Sequence, residues 1–198
     1  FRVSLERSNM KLKNAVHRSF VIIVILLLSI AVGYVYSLLG HRADLNNHPR
    51  EYTEYVEKYA AEYGIPEYIV YAVILEESGF QSNCLSEDGR VGLMQLSDEA
   101  FYKISDLLGE NSESGILYDP ETNVKYGTYY LSYLYTEYSR WKNVFAAYLT
   151  SIDEYTVWVS DEANTDTSGN LIKIPDKAVS DKIDKIEGSA ELYKELYY

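Results

Sequence analysis

The chain is poor in the residues that serve the commonest nucleophilic and metal chemistries. It has one cysteine, Cys84, and three histidines, His17, His41 and His48. A single cysteine excludes an internal disulfide. Cys84 is then either a reactive thiol or, as a lone cysteine more often is, a small buried hydrophobe. With no histidine after His48, Ser-His and Cys-His nucleophile pairs and histidine zinc sites are excluded from the rest of the chain. Neither a cofactor nor a metal site is expected. Strand signals are equally scarce and confined to short stretches at 156–159 and 171–174. Basic residues are few where acids are many: 28 of the 30 acids but only 11 of the 18 bases lie at or after residue 51. A segment of that sign repels phosphate backbones, which excludes nucleic acid as a partner. Neither a long repeat nor a low-complexity tract is present.

Charge is also missing from one long run. Residues 20–39, FVIIVILLLSIAVGYVYSLL, carry none. At 1.5 Å per residue, about 20 helical residues cross a hydrocarbon core of roughly 30 Å. The preceding flank holds Arg2, Arg7, Lys11, Lys13 and Arg18 against Glu6 alone. A basic leading flank keeps residues 1–19 in the cytoplasm and exports the chain beyond the apolar run. A cleaved signal peptide normally has a shorter apolar core of about 7–15 residues and a small-residue cleavage site, and no clean A-x-A lies beyond this one. With no cysteine near the end of the run, a lipoprotein anchor has no support. The expectation is a retained single-pass anchor in the cell membrane with an extracytoplasmic domain. Met10 is a candidate start, which leaves the reading unchanged.

Residues 40–50 read as a polar linker. Tyr52, Tyr55, Val56, Tyr59 and Ala60 then repeat at helical spacing, with Gly64 as a stop. Pro66 suits the first turn of a second helix. That helix, 66–78, is apolar nearly all round (Ile69, Val70, Ala72, Val73, Ile74, Leu75), the profile of a buried central element. A loop with Asn83, Asp88 and Gly89 comes next. Residues 93–108 read as helix interrupted near Ser97-Asp98, 111–120 as loop and 123–138 as an amphipathic helix. Another helix opens at 144–149, and 176–196 closes the chain after a polar loop at 161–170. The fold class is mainly α.

The buried helix ends in Glu76-Glu77. Burial disfavours an ionised carboxylate and raises its pKa. A glutamic acid so raised can protonate a leaving oxygen and then act as base, the chemistry of glycosidic cleavage. The same two residues at a helix end are equally compatible with two glutamates facing water. The surrounding pattern bears on the choice. Glu77-Ser78-Gly79-Phe80, Ser86 nine residues after Glu77, and Gly92-Leu93-Met94-Gln95 starting fifteen after it resemble the motif set of the soluble lytic transglycosylase family. Further on, Asp119-Pro120, Asn123, Gly127 and Tyr130-Leu131 resemble that family's D-P-x-x-N-I-x-x-G-x-x-Y-L helix. Phe145-Ala146-Ala147-Tyr148, Val157 and Trp158, and Ile174-Pro175 continue the order.

The resemblance covers about residues 50–198, with the domain itself set at 51–198. It implies a lysozyme-like helical domain of the goose-type or transglycosylase kind with a glycan cleft, and peptidoglycan strands as partner. It makes Glu77 the catalytic acid/base, with Ser86 and Gln95 lining the cleft and Tyr148 placing its hydroxyl near Glu77. Glu76 is off the motif and reads as structural. The implied reaction cleaves the β-1,4 bond between N-acetylmuramic acid and N-acetylglucosamine and closes a 1,6-anhydro ring. Two departures stand out: Leu149 replaces the family asparagine, and Ser97-Asp98 replaces Met-Pro. Leucine lacks that asparagine's donor and acceptor. A lysozyme-type hydrolase and a weakly active glycan-binding scaffold of the same fold therefore remain alternatives.

The full-length chain is expected to stay with membranes after a high-salt wash, with its C-terminal domain cleaved only by protease added outside. A mature N-terminus between residues 30 and 50 would mark a cleaved signal instead.

Overall fold

The computed structural model describes residues 2–110 and 113–198 and divides into two units, one up to Asn47 and one over His48–Tyr198. The first is one long helix, α1 (Arg2–Asn47). Its apolar side chains from Phe20 to Leu39 are largely exposed. Over Phe20–Asn47 it is long and apolar enough to cross a membrane, judged by length and composition. Ser29, one of two serines inside the apolar run, turns its Oγ back on the Ile25 and Leu26 carbonyls at 2.9 Å, which satisfies the group without water. The helix continues to Asn47, through most of the stretch that reads as linker, because nothing in 40–47 breaks a helix.

The second unit is built around α3 (Glu67–Ser78). Its residues 69–74 are all buried, as the all-round apolar sequence requires. Pro66 stands just outside it as the N-cap and Gly79 ends it in the left-handed conformation. Around α3 pack α2 (Thr53–Tyr63), which Gly64 terminates in the same way, and α8 (Lys177–Tyr197). On the far side of α2 lies α5 (Pro120–Tyr138), flanked by α4 (Asp98–Leu108), α6 (Trp141–Leu149) and a 3₁₀ turn at Ser114–Tyr118. Side-chain caps fix where three of these helices begin: Ser97 accepts from Ala100 N–H, Asp119 from Thr122 N–H and Asp176 from Val179 N–H, each satisfying a first-turn donor that has no partner within the helix.

Three expectations shift. Residues 156–159 are helical, inside α7 (Ile152–Ser160), because the Ser151 cap and the inward Tyr155 and Trp158 impose helical spacing. Residues 171–174 contribute only one isolated bridge, between Thr165 and Leu171. Residues 93–96 are not helix. They form a tight turn in which Val91 pairs with Leu96, so α4 begins at Asp98.

The start of this unit is tied to its last helix. Tyr193 and Tyr197 donate to the Pro49 and His48 carbonyls, both at 2.7 Å. The Arg50 guanidinium lies within 5.2–5.6 Å of the Tyr71, Tyr197 and Tyr198 ring centres and pairs with Glu57 at 3.2 Å and Glu67 at 3.5 Å. Many of the 21 tyrosines thus serve as packing and capping groups.

A close approach lies between α5 and the 91–96 turn. A Cβ on Gly127 would sit 2.3 Å from Met94 Sδ and 2.8 Å from Met94 Cβ, both fully buried. Gly127→Ala is therefore expected to destabilise the domain by about 1–3 kcal/mol through overpacking. Gly188→Ala, at an exposed position of α8 with open space around it, should stabilise it by about 0.4–1 kcal/mol. Thermal melts of the two variants check the opposite signs.

Candidate active site

Glu77 occupies the last turn of α3, and the chain reverses immediately after it. Gly79 and Phe80 both take left-handed backbone, with φ 57° and 64°. Glycine does so freely, whereas phenylalanine is held there by burial of its ring against Tyr71. The reversal brings 81–96 back over the end of α3. Ser78 Oγ reaches the Leu93 carbonyl at 2.7 Å, so the residue after Glu77 fastens the helix end to the returning loop.

That loop is pinned from the other side by Asn123, which is fully buried on α5. Its Oδ1 accepts from Met94 N–H at 2.7 Å, and its Nδ2 donates to the Leu117 and Val91 carbonyls at 2.9 and 3.0 Å. Gly92, at φ 82°, passes so close that a Cβ would lie 2.1 Å from Asn123 Nδ2. The motif glycine and the motif asparagine are thus two halves of one contact.

Glu77, Ser86, Asp88, Arg90, Gln95, Leu149, Ala178, Val179 and Lys182 enclose a cleft of about 290 Å³. Three of the four residues singled out from sequence meet in it. The Glu77 side chain is 6% exposed and its Oε1 lies 3.2 Å from Lys182 Nζ. The pair is ionic by distance, but Oε1 accepts no aligned hydrogen bond among the described residues. Burial pushes the Glu77 pKa up, and the Lys182 and Arg90 charges only partly offset it.

Ser86 Oγ donates to Asp88 Oδ1 at 2.5 Å and accepts from Arg90 N–H at 2.9 Å, so it organises the loop rim. That hydroxyl, followed by the Arg90 charge, holds Asp88 below the usual carboxylate range. Gln95, nearly buried and itself left-handed at φ 49°, spends its Nε2 on the Gly92 and Cys84 carbonyls at 2.7 and 3.2 Å. Its side-chain oxygen is left as the group available to a ligand.

Tyr148 lies beneath the cleft rather than on its wall. It is buried, its hydroxyl donates to the Met94 carbonyl at 2.6 Å, and its pKa is raised by burial and then by the Glu77 charge. Glu76 points away and accepts from Ser189 Oγ at 2.6 Å, tying α3 to α8. Leu149 is half-buried on the cleft wall. Cys84 is half-buried and free.

Sequence reasoning missed two cations. Arg90 donates to the carbonyls of Tyr148 (3.2 Å), Leu149 and Thr150 (3.1 Å) and pairs with Asp88 at 3.1 Å. It thereby supplies the last turn of α6 with donors that the helix itself lacks. A basic residue in the loop after Glu77 was visible, but its target was not. Lys182, far along the chain on an amphipathic helix, reads as an ordinary solvated lysine.

A family model described as the transglycosylase SLT domain matches residues 54–169. The membrane-bound lytic murein transglycosylase C proteins of Yersinia pestis (strain Pestoides F) and Yersinia pseudotuberculosis serotype O:1b (strain IP 31758) are each 35% identical over 98 residues, covering 48% of this chain and 27% of theirs. The 70-kDa soluble lytic transglycosylase SLT70 of Escherichia coli matches 75% of this chain with a TM-score of 0.67 at 24% identity. Slt of Pseudomonas aeruginosa matches the same share at 0.65 and 21%. Each alignment spans 25% of the solved chain, and these two likenesses speak to fold. The mainly helical, SLT-like domain with one long apolar N-terminal helix is as expected from the sequence.

Burial of Glu77 predicts a pH-dependent cost. Its folded pKa is above the ordinary 4.5, so its contribution to stability is fully present below that value and is lost as pH rises through the folded pKa. Glu77→Gln removes the buried charge. The variant is expected to melt higher than the parent at neutral pH and to lose that advantage below about pH 4.5. Equal melting temperatures across the range would show that Lys182 already compensates the burial.

Proposed function

The chain belongs to the transglycosylase SLT domain family, and from that premise we propose that it is a membrane-anchored lytic transglycosylase of peptidoglycan with Glu77 as its acid/base. The observation that carries the reading is one nearly buried carboxylate, raised toward neutrality, at the floor of a cleft. The chain spans about a quarter of the length of the relatives it matches, so the activity proposed is that of the domain over residues 51–198. Residues 20–39 serve as the anchor and residues 1–19 stay cytoplasmic. The apolar helix and the membrane-bound names of the Yersinia relatives support this placement.

In the proposed reaction Glu77 gives its proton to the oxygen between N-acetylmuramic acid and N-acetylglucosamine, and the bond from that oxygen to the muramic anomeric carbon breaks. The substrate's acetamido oxygen supports the positive carbon. Glu77, now a carboxylate, takes the proton of the muramic C6 hydroxyl as O6 attacks that carbon. A 1,6-anhydro ring closes and Glu77 ends protonated, as it began. No second carboxylate is needed. The Gln95 side-chain oxygen and the Ser86–Asp88 rim contact the glycan, and Tyr148 positions the floor through Met94 rather than touching sugar. Leu149 presents apolar surface to the sugar.

A second reading, hydrolysis, has one observation in its favour. Asp88 stands in the same cleft and is held ionised, as a base that activates water must be. Purified peptidoglycan digested with the full-length chain in detergent separates the two. Transglycosylation yields ends lighter by one water than reducing ends, and that is the expected mass. Glu77→Gln should cut release by about 10²–10⁴, the usual worth of positioned proton transfer. Glu76→Gln, which alters a contact to Ser189, should cost far less. A silent Glu76→Gln would move the acid by one residue, reducing ends would install the hydrolase, and no release by the parent would leave a glycan-binding scaffold.

A further inference from the structure

The two cations of the cleft are not equivalent. Arg90 is fully engaged: its Nε pairs with Asp88, and its terminal nitrogens hold three successive carbonyls at the end of α6. With its side chain only 14% exposed, moving it would unmake the helix end. Lys182 is the reverse. Its ammonium has three donors, its side chain is 34% exposed, and its contact is with Glu77 at 3.2 Å without an aligned hydrogen bond. It stands on α8 at the cleft wall beside Val179 and Ala178, both small or apolar. A ligand bearing a negative charge in this cleft therefore has one cation it can take, and the competitor for that cation is Glu77.

Resting on the reading of Glu77 as the acid, we propose that Lys182 is the specificity residue for a carboxylate on the glycan, and that capture of that carboxylate frees Glu77 for protonation. In the empty cleft the Lys182 ammonium is the counter-ion of Glu77. A substrate carboxylate that draws Lys182 away leaves Glu77 buried and ionised beside a second negative charge. Both effects favour uptake of one proton. The charged groups that face Glu77 are few. Lys182 comes from α8, and Asp88 and Arg90 from the loop, where they pair with each other. Tyr148, on α6, stays neutral because burial and Glu77 itself raise its pKa. Glu76, on the same helix, is turned to Ser189. Removal of Lys182 thus leaves no mobile cation among these groups to replace it. An anionic substrate would in this way favour the protonated form of its own acid needed for the first step, which neutral sugar chains would not do.

The test compares glycan strands stripped of peptide, which carry free lactyl carboxylates, with the same strands methyl-esterified. The full-length chain in detergent is assayed for kcat/KM across pH. The parent is expected to favour the carboxylate form by about two- to fivefold, the range of one partly exposed ion pair. Lys182→Met should bring that ratio to one or below, and Lys182→Arg should keep it above one. On esterified strands the alkaline limb of the Lys182→Met profile should move to higher pH, because Glu77 has lost its counter-ion. A parent with no preference, an unchanged ratio in Lys182→Met, or a limb that stays put or moves down would overturn the proposal. Glu77→Gln run alongside keeps the two ideas apart. If it is silent on both substrates while Lys182→Met keeps its ratio, only the role of Lys182 falls. If it cleaves, the reading of Glu77 falls first.

Discussion

The buried amide of Asn123 is the constraint on which the rest of the domain depends. One side chain fills three main-chain needs, the Met94 N–H and the Leu117 and Val91 carbonyls. The Met94 N–H and the Leu117 carbonyl would otherwise be polar groups withdrawn from water at a cost of about 1–3 kcal/mol each, while the Val91 carbonyl also accepts from Leu96 N–H at 3.1 Å. With those groups satisfied, 91–96 can be a tight turn without regular secondary structure and still be buried. The turn in turn presents the Leu93 carbonyl to Ser78 and the Met94 carbonyl to Tyr148. The end of α3, the floor of the cleft and the C-terminal end of α6 are thereby fixed relative to α5. Gly92 and Gly127 are the spaces this arrangement needs, one beside Asn123 and one beside Met94.

Electrostatics in the cleft is uneven. Asp88 is exposed, hydrogen-bonded and paired, so its charge is cheap. Glu77 is buried and imperfectly paired, so its charge is costly. Two carboxylates in one cavity are driven apart in protonation, Glu77 upward chiefly by burial and Asp88 downward chiefly by its hydrogen bond from Ser86. That separation is what the proposed role of Glu77 as proton donor requires.

Much of this was legible in sequence because it is local. The all-round apolar run of 69–75 could only be a central helix, and the family resemblance at fixed offsets after Glu77 singled out Ser86, Gly92 and Gln95. Asn123 and Gly127 were visible as a pattern, though their shared purpose, holding a turn against α5, was not. What stayed hidden depends on distance in space. Lys182 reaches Glu77 only because α8 folds back along α3, and no spacing rule announces that. The 93–96 turn looked helical because Leu93, Met94 and Leu96 are helix formers, and tertiary hydrogen bonds overrode propensity. Residues 156–159 looked extended because Thr156, Val157 and Val159 are β-branched, yet the Ser151 cap and two inward aromatics prevail.

The placement of α8 has a consequence for the order of synthesis. One helix closes the cleft with Ala178, Val179 and Lys182 and, further along, holds residues 48 and 49 through Tyr193 and Tyr197. A ribosome makes Glu77 early and this helix late. Until α8 has emerged and docked, α3 lacks a cover over much of its length and the cleft lacks a wall. A nascent chain is therefore born without a complete cleft, and it acquires one only when the remainder of the domain has emerged.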